Sequence, residues 1–346
     1  MAKMASAQAH GNELPSPHHP PIPVLPSGMK RPQWSVMIPT FNCARYIPDA
    51  LHSVLTQDPG SELMQIEVVD DCSSDADVEA LVEEIGGGRI GFFRQLRNVG
   101  HIRNFNTCLK RSRGRLIHLL HGDDYVREEF YARMESAFDS ASDIGAAFCR
   151  SVFADESGTQ QGISPLEQTE SGVLADSSTH LALEQRIMTP SIAVRREAYE
   201  LLGGFDDRLV CSEDWEMWVR VATRYPIWYE TKPLAVYRMH ANSNTGRHTR
   251  TADDIRYSCV AINIFSEYLP TDKAARIASQ ARETYALAAL NAAEKFAAER
   301  DFSAALAQTL AALRCRCSAK VGTRILRLIG QCMPWMRGRG AHQDNG

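Results

Sequence analysis

From Trp34 to about residue 240, short apolar runs alternate with stretches in which apolar residues recur at three- and four-residue spacing. That alternation is the signature of βαβ units around a mainly parallel sheet. It predicts strands over residues 35–38, 65–69, 90–95, 115–120 and 146–152, with helices over 44–56, 77–85, 102–111 and 128–140 between them. Residues 155–179 are rich in Ser, Gly, Gln and Glu without a period, which predicts a mobile loop of the kind that often serves as a lid. A strand over 189–195, a helix over 196–202, a Gly203-Gly204-Phe205-Asp206 turn, a helix over 213–225 and an extended run over 228–237 follow. From Thr251 onward the chain is Ala-rich with a helical period and no strand signal. Three parts result: a flexible Pro- and His-rich tail over 1–33, an α/β domain over 34–250, and a helical C-terminal region over 251–346.

Composition narrows the class. A chain of 346 residues, 44% hydrophobic and 23% charged, can bury a sizeable core. The net charge of -4 offers phosphates no overall attraction, so nucleic acid is not an expected partner. Nine cysteines lack zinc-site or disulfide-framework spacing, which fits a reducing compartment. Neither a spanning apolar stretch nor a secretory leader pattern is found, and the expected location is cytoplasmic.

In a parallel sheet, ligands bind where loops leave the carboxyl ends of the strands. Two predicted strands end there in carboxylate pairs, Asp70-Asp71 and Asp123-Asp124. In Asp123-Asp124, like charges held together call for a cation, and hard oxygen ligands suit Mg²⁺ or Mn²⁺; Asp70-Asp71, at the end of another strand, suits hydrogen bonds from a ribose or a base. The competing reading is local: Asp123 and Asp124 favour the start of the next helix, and Asp70 and Asp71 cap a turn. Asn98 and Gly100 open a helix whose amino end favours anions, while Asn104 and Asn106 are poor helix formers suited to hydrogen bonding, though a bland polar face is an equal alternative. Glu213-Asp214 precede Trp215 and Trp218; a desolvated carboxylate there suits a general base, and a helix cap also predicts acids there. Arg238 and His240 end the last extended run, a pair able to grip a diphosphate and ligate a metal, although a lone His is more often structural.

Taken in order, IPTFN, VVDDCSSD, RNVG followed by NFN, LLHGDD, RREAYELLGGFD, CSEDWEMWVR and YRMHANSNT resemble the family 2 glycosyltransferases of the GT-A fold over residues 34–245. The resemblance implies a Rossmann-like, mainly parallel sheet flanked by helices, here with a C-terminal helical appendage. It implies nucleotide contacts from Pro39, Thr40 and Asn42, with Asp71 reading the base; Asp70, Asn98, Gly100, Arg103, Asn106, Asp123 and Arg238 complete the expected donor-binding set. Asp123 and Asp124 match the metal motif, Asp124 as the direct ligand, and His240 with Arg238 matches a late motif closing over metal and diphosphate. Asp214, beside Glu213, matches the catalytic base. Two departures stand out: Gly122 replaces the motif's first aspartate, and Asn104-Phe105-Asn106 replaces an Ala-Arg-Asn segment, which shifts charge balance onto the metal and onto Arg238 or Arg103.

The implied activity is inverting transfer of a sugar from a nucleotide diphosphate, with UDP favoured, to a hydroxyl on a saccharide or lipid-linked saccharide in cell-surface polysaccharide or glycolipid synthesis. A sugar nucleotidyltransferase is the enzymatic alternative, but no Gly-rich, lysine-containing loop follows Ile38. An inactive binding module is the other. Residues 302–343 contain no Asp or Glu, while Arg314, Arg316, Lys320, Arg324, Arg327, Arg337 and Arg339 interleave with apolar residues. That pattern fits a helix on an anionic membrane surface, and equally a helix packed on the catalytic domain with a basic tail.

Overall fold

A computed structural model describes residues 18–240 and 244–337. Its elements in chain order are β1 (Trp34–Thr40), α1 (Ile47–Leu55), β2 (Met64–Asp70), α2 (Val78–Gly86), β3 (Gly91–Arg94), α3 (His101–Arg111), β4 (Leu116–Leu119), β5 (Tyr125–Val126), α4 (Phe130–Ser140) and β6 (Ala146–Ala154). Then come β7 (Gln160–Ile163), β8 (Gly172–Val173), α5 (Ser177–Leu183), a single 3₁₀ turn (Thr189–Ser191), β9 (Ile192–Arg195), α6 (Arg196–Leu202), α7 (Glu213–Ala222) and β10 (Ile227–Arg238). Helices α8 (Asn244–Thr251), α9 (Asp253–Ser266), α10 (Thr271–Ala298), α11 (Phe302–Cys315) and α12 (Ala319–Arg337) complete the described chain.

One sheet carries the order β3-β2-β1-β4-β9-β6-β10-β5, with β7 added to β6 and β8 to β10. Strands β3, β2, β1 and β4 are mutually parallel, β9 lies antiparallel between β4 and β6, and β6 and β10 are parallel to each other. The long strands therefore share one direction, and their carboxyl ends meet at one edge. Every residue of β1 and β2 is buried, as both faces are covered by helices. Val36, Ile38, Ile66 and Val68 join residues of α1, α2 and α4 on one face. Met37 and Val69 point the other way into a cluster with α3, α6, α7, α9 and α10. Full burial of a side chain such as Ile38 stabilises by about 1.5–3 kcal/mol relative to exposure.

Three expectations need correction. The flexible tail over 1–33 does not hold from residue 18 onward; residues 1–17 lie outside the described residues. Ile22 is in the main core, buried His19 pairs with Asp206 (Nε2 to Oδ2, 3.1 Å), and the Pro20 and Pro23 carbonyls accept from Gly204 N and Arg196 Nη2. The loop over 155–179 contains β7 and β8, which pair with β6 and β10. Both are short edge strands with polar or Gly residues, so neither shows alternation. The strand expected over 189–195 begins as the 3₁₀ turn, where Pro190 at the turn's start favours that geometry.

The C-terminal helices are built into the same core. Phe265 of α9 and Ile277 and Ala281 of α10 belong to the cluster beneath the sheet. Tyr285 of α10 stacks on Trp215 of α7, with centroids 4.8 Å apart and planes 26° apart. Buried alanines at 286, 289, 293, 304, 305 and 312 let α10 and α11 approach closely.

Candidate active site

At the carboxyl edge of the sheet lies a cleft of ≈ 1290 Å³. Its floor comes from the ends of β1 (Pro39 to Cys43), β4 (His121 to Asp123), β6 (Phe153 to Ser157) and β10 (Tyr237 to His240). Helices α3 and α7 contribute His101, Asn104, Phe105, Glu213 and Asp214, and α9 and α10 close the far wall with Asp254, Ser258, Tyr285, Lys295 and Phe296.

The first acidic group follows β4. Asp123 accepts from His240 Nε2 at 3.0 Å, and Asp124 Oδ1 accepts from the backbone N of Arg238 at 2.8 Å. One ligand atom from each of His121, Asp123 and Asp124 falls within 4.8 Å of the others. Among the described residues, the buried atoms His121 Nε2 and Asp124 Oδ2 have no hydrogen-bond partner. The His121 Nδ1 to Asp124 Oδ2 separation of 3.5 Å is long for a hydrogen bond. Orphaned buried atoms are costly, and a hard or borderline cation with oxygen and imidazole ligands satisfies them. The residues therefore fit a divalent metal. Burial and the neighbouring Asp123 charge push the Asp124 carboxyl up to about 6. Asp123 resists its own burial because His240 donates to it and His121 lies close, and its carboxyl stays below the usual value.

The second acidic group opens α7. Ser212 before it adopts φ 64°, turning the chain so that the first helical turn faces the cleft. Asp214 Oδ1 accepts from Trp215 N at 2.7 Å, and Oδ2 accepts from Gln185 Nε2 at 2.7 Å and Thr189 Oγ1 at 3.4 Å. Burial and the adjacent Glu213 charge push the Asp214 carboxyl up to about 7. Glu213 lies 3.3 Å from His101 Nε2; burial opposes the charge of Glu213, but His101 more than offsets it and the carboxyl is lowered. Two adjacent carboxyls are thus split in proton affinity, one ionised and one poised near neutrality, the condition for assigning a base.

The expected residues divide between cleft and support. Pro39, Thr40, Asn42, Asp123, Glu213, Asp214, Arg238 and His240 line the cleft, whereas Asp70, Asp71, Asn98, Gly100, Arg103, Asp124 and Asn106 do not. Asp124 lies just beneath it, 2% exposed, with its free oxygen toward His121. Asp70 is fully buried and binds Ser73 N, Thr40 Oγ1 and Arg94. Both oxygens of Asp71 accept backbone N–H groups, from Val99 at 2.7 Å and Gly100 at 3.0 Å, so the side chain fastens the loop before α3. Asn98 Oδ1 accepts from Gly100 N, and Gly100 takes φ 86°, a region that favours glycine. Arg103 is on the exposed face of α3. Asn106 is buried and clamps Phe205, donating to its carbonyl at 3.0 Å and accepting from its N–H at 2.8 Å. Arg238 is committed to the protein: Nε donates to Asp123 O, Nη1 to Glu156 O and Nη2 to Asp49 Oδ2, and its guanidinium lies over Tyr46 and Tyr125. It holds the loop before β5 against β10 and is not a free diphosphate ligand.

Several cleft residues carried no decisive signal in the sequence. For His121 the one available signal was its place directly before Gly122-Asp123-Asp124. His101, Gln185, Thr189 and Tyr285 come from separate stretches that only the fold brings together.

A mixed sheet with helices on both faces, and carboxylates gathered where its parallel strands end, defines a GT-A-type nucleotide-sugar transferase. Residues 35–200 match the family described as glycosyl transferase family 2, and the chain belongs to that family. It is 30% identical over 237 residues to an uncharacterised protein of Mycobacterium tuberculosis, covering 65% of this chain and 73% of that one. It is also 31% identical over 99 residues to the poly(ribitol-phosphate) beta-N-acetylglucosaminyltransferase TarS of Staphylococcus aureus, covering 28% of this chain but 17% of that protein. The crystal structure of TarS residues 1–349 with UDP-GlcNAc superposes with a TM-score of 0.59 at 16% identity, covering 76% of this chain and 80% of that one. A mannosyltransferase from Pyrobaculum calidifontis, in complex with GDP-Man and Mn²⁺, gives a TM-score of 0.55 at 16% identity over 90% of this chain and 84% of that one. The chain is thus a family 2 glycosyltransferase, an enzyme that moves a sugar from a nucleotide-sugar donor.

Proposed function

We propose that the enzyme is an inverting, metal-dependent transferase that takes a sugar from a UDP-sugar and places it on a hydroxyl of a saccharide or lipid-linked saccharide. The observation that carries this reading is that Asp214, poised near neutrality, and the Asp123-Asp124 group line or underlie one cleft. Pro39, Thr40 and Asn42, at the end of β1, form the nucleotide side. His121, Asp123 and Asp124 would hold Mn²⁺ or Mg²⁺, with His240 orienting Asp123 through its 3.0 Å contact. When bound, the ion supplies positive charge next to the donor's phosphates.

This chain's own part of the reaction is orientation and proton transfer. Asp214 accepts the proton of the acceptor hydroxyl as its oxygen bonds to the anomeric carbon. The bond from that carbon to the diphosphate oxygen breaks on the opposite face, which inverts configuration. Glu213, held ionised by His101, keeps a negative charge beside Asp214 and raises its proton affinity toward the working pH. Base contacts by Asp71 and diphosphate contacts by Arg238, Arg103, Asn98, Gly100 or Asn106 have less support, because those groups are engaged elsewhere or lie outside the cleft.

A role in cell-surface polysaccharide synthesis is supported by the likeness to TarS, a poly(ribitol-phosphate) beta-N-acetylglucosaminyltransferase. Attachment to the inner membrane surface is the spatial part of the same reading. No helix among the described residues is long and apolar enough to cross a membrane. Phe302, Leu306, Leu310 and Leu313 instead form an exposed apolar stripe along α11, and Leu326 and Ile329 are exposed on α12, in a segment free of acidic residues.

The test is a panel of nucleotide sugars with and without Mn²⁺ or Mg²⁺, read by release of nucleoside diphosphate. Transfer or hydrolysis of one donor that stops on chelation and returns with metal is expected. Asp124→Asn and Asp214→Asn should each lower turnover by about 10²-fold or more. Pyrophosphate release from a nucleoside triphosphate and a sugar phosphate would instead indicate a nucleotidyltransferase. Silence across the full donor panel would indicate a binding module.

A further inference from the structure

Asp214 is held by its own helix and, directly or through one intermediary, by two distant parts of the chain. Its Oδ2 accepts from the Gln185 side chain at 2.7 Å, while the backbone N of Gln185 donates to the Tyr285 hydroxyl at 3.2 Å. Tyr285 in turn stacks on Trp215, whose own backbone N–H holds Asp214 Oδ1, and Trp215 Nε1 donates to Leu181 O at 2.7 Å. Gln185, Thr189, Asp214 and Tyr285 all line the cleft.

A carboxylate in the first turn of a helix tends to fold back onto the free N–H groups there. The 2.7 Å contact from Trp215 N to Asp214 Oδ1 is such a bond. Left alone, it would leave the second oxygen free to rotate. A donor from outside the helix fixes that oxygen, and an amide does so without adding charge. A lysine or arginine in the same place would stabilise the carboxylate and weaken it as a base.

We propose that Gln185 is a positioning residue for the base Asp214, and that Tyr285 of α10 fixes Gln185, so that the C-terminal helices complete the active site. This inference rests on the reading of Asp214 as base. The other titratable groups around Asp214 are Glu213 next to it, His101 of α3, His121 after β4, Cys211 before α7 and Tyr285 itself. Gln185 does not titrate, so removing it alters the base without changing the charges around it.

The experiment is steady-state transfer by the full chain across pH, with Gln185→Leu, Tyr285→Phe and Asp214→Asn. Gln185→Leu should lower kcat about tenfold or more, since small misplacements of a reacting group are expensive. It should leave the donor KM within about twofold and move the acidic limb of kcat up by roughly one pH unit, as the ionised base loses a hydrogen bond. Tyr285→Phe keeps the ring on Trp215 and should change both quantities the same way by less; it carries the test if Gln185→Leu does not fold. A lower melting temperature with an unmoved limb means a structural role and overturns the proposal. So does unchanged kcat in both variants while Asp214→Asn is inactive. Activity retained in Asp214→Asn overturns the base assignment itself, a different failure.

Discussion

Replacing Asn106 with Ala should destabilise the fold and leave donor recognition intact at temperatures where the variant is folded. The side chain makes two buried hydrogen bonds to one residue, donating to Phe205 O at 3.0 Å and accepting from Phe205 N at 2.8 Å. Removal leaves a buried N–H and a buried C=O without their partner, at about 1–3 kcal/mol each, so the loss is about 2–6 kcal/mol. Rescue by rearrangement is limited, because a Cβ built on Gly204 would collide with the Asn106 side chain, a sign of how closely the two segments meet. Phe205 packs edge-on against Phe105 but does not itself line the cleft, so the loss falls on the packing beneath it. At roughly 2 °C per kcal/mol for a chain of this size, the melting temperature should fall by about 4–12 °C. Scanning calorimetry and urea unfolding supply the stability, and titration of the donor at 10–15 °C below the variant's transition supplies the affinity. An unshifted transition together with a large loss of donor affinity would refute this reasoning and return Asn106 to the donor site.

Three further outcomes follow from the structure. Because burial and Glu213 push the Asp214 carboxyl up to about 7, kcat should fall as pH drops through neutrality, and an acidic limb near pH 4 would contradict the assignment. The sign for stability is opposite: a carboxyl raised on folding contributes stability below its unfolded value that is lost as pH rises through about 7, so Asp214→Asn should gain in melting temperature over wild type at pH 8 but not at pH 3. On vesicles, the full chain should float with phosphatidylcholine containing phosphatidylglycerol and not with phosphatidylcholine alone. Leu306→Glu with Leu310→Glu should abolish flotation, because both side chains are exposed on the α11 stripe; undiminished flotation would exclude that surface.

The central strands and their helices were legible because each carries its period locally. The short apolar stretches of β1 and β2, bounded by turn residues, read as strands covered on both faces, and Asp77 caps α2 just where its pattern starts. The carboxylates at the ends of β2 and β4 and at the start of α7 were legible for the same reason: a strand's end and a helix's beginning can be read from neighbours in sequence. Less legible were the edge strands β7 and β8 and the packed segment from His18 to Gln33. In the latter segment, anchoring contacts such as His19 to Asp206 and Pro23 to Arg196 span more than 170 residues.

Residue chemistry along the chain therefore determined the α/β plan and which acidic groups would face the sheet's carboxyl edge. Tertiary structure alone decided what each of them does there. Asp71 and Asn106 carry functional-looking side chains, yet backbone N–H and C=O groups from other loops satisfy them. Asp214 and Asp124 retain atoms directed toward open or unsatisfied surroundings, and Gln185 and Tyr285 reach the first of these only through folding. A side chain's partners depend on distances between segments far apart in sequence, and those distances exist only once the core has closed.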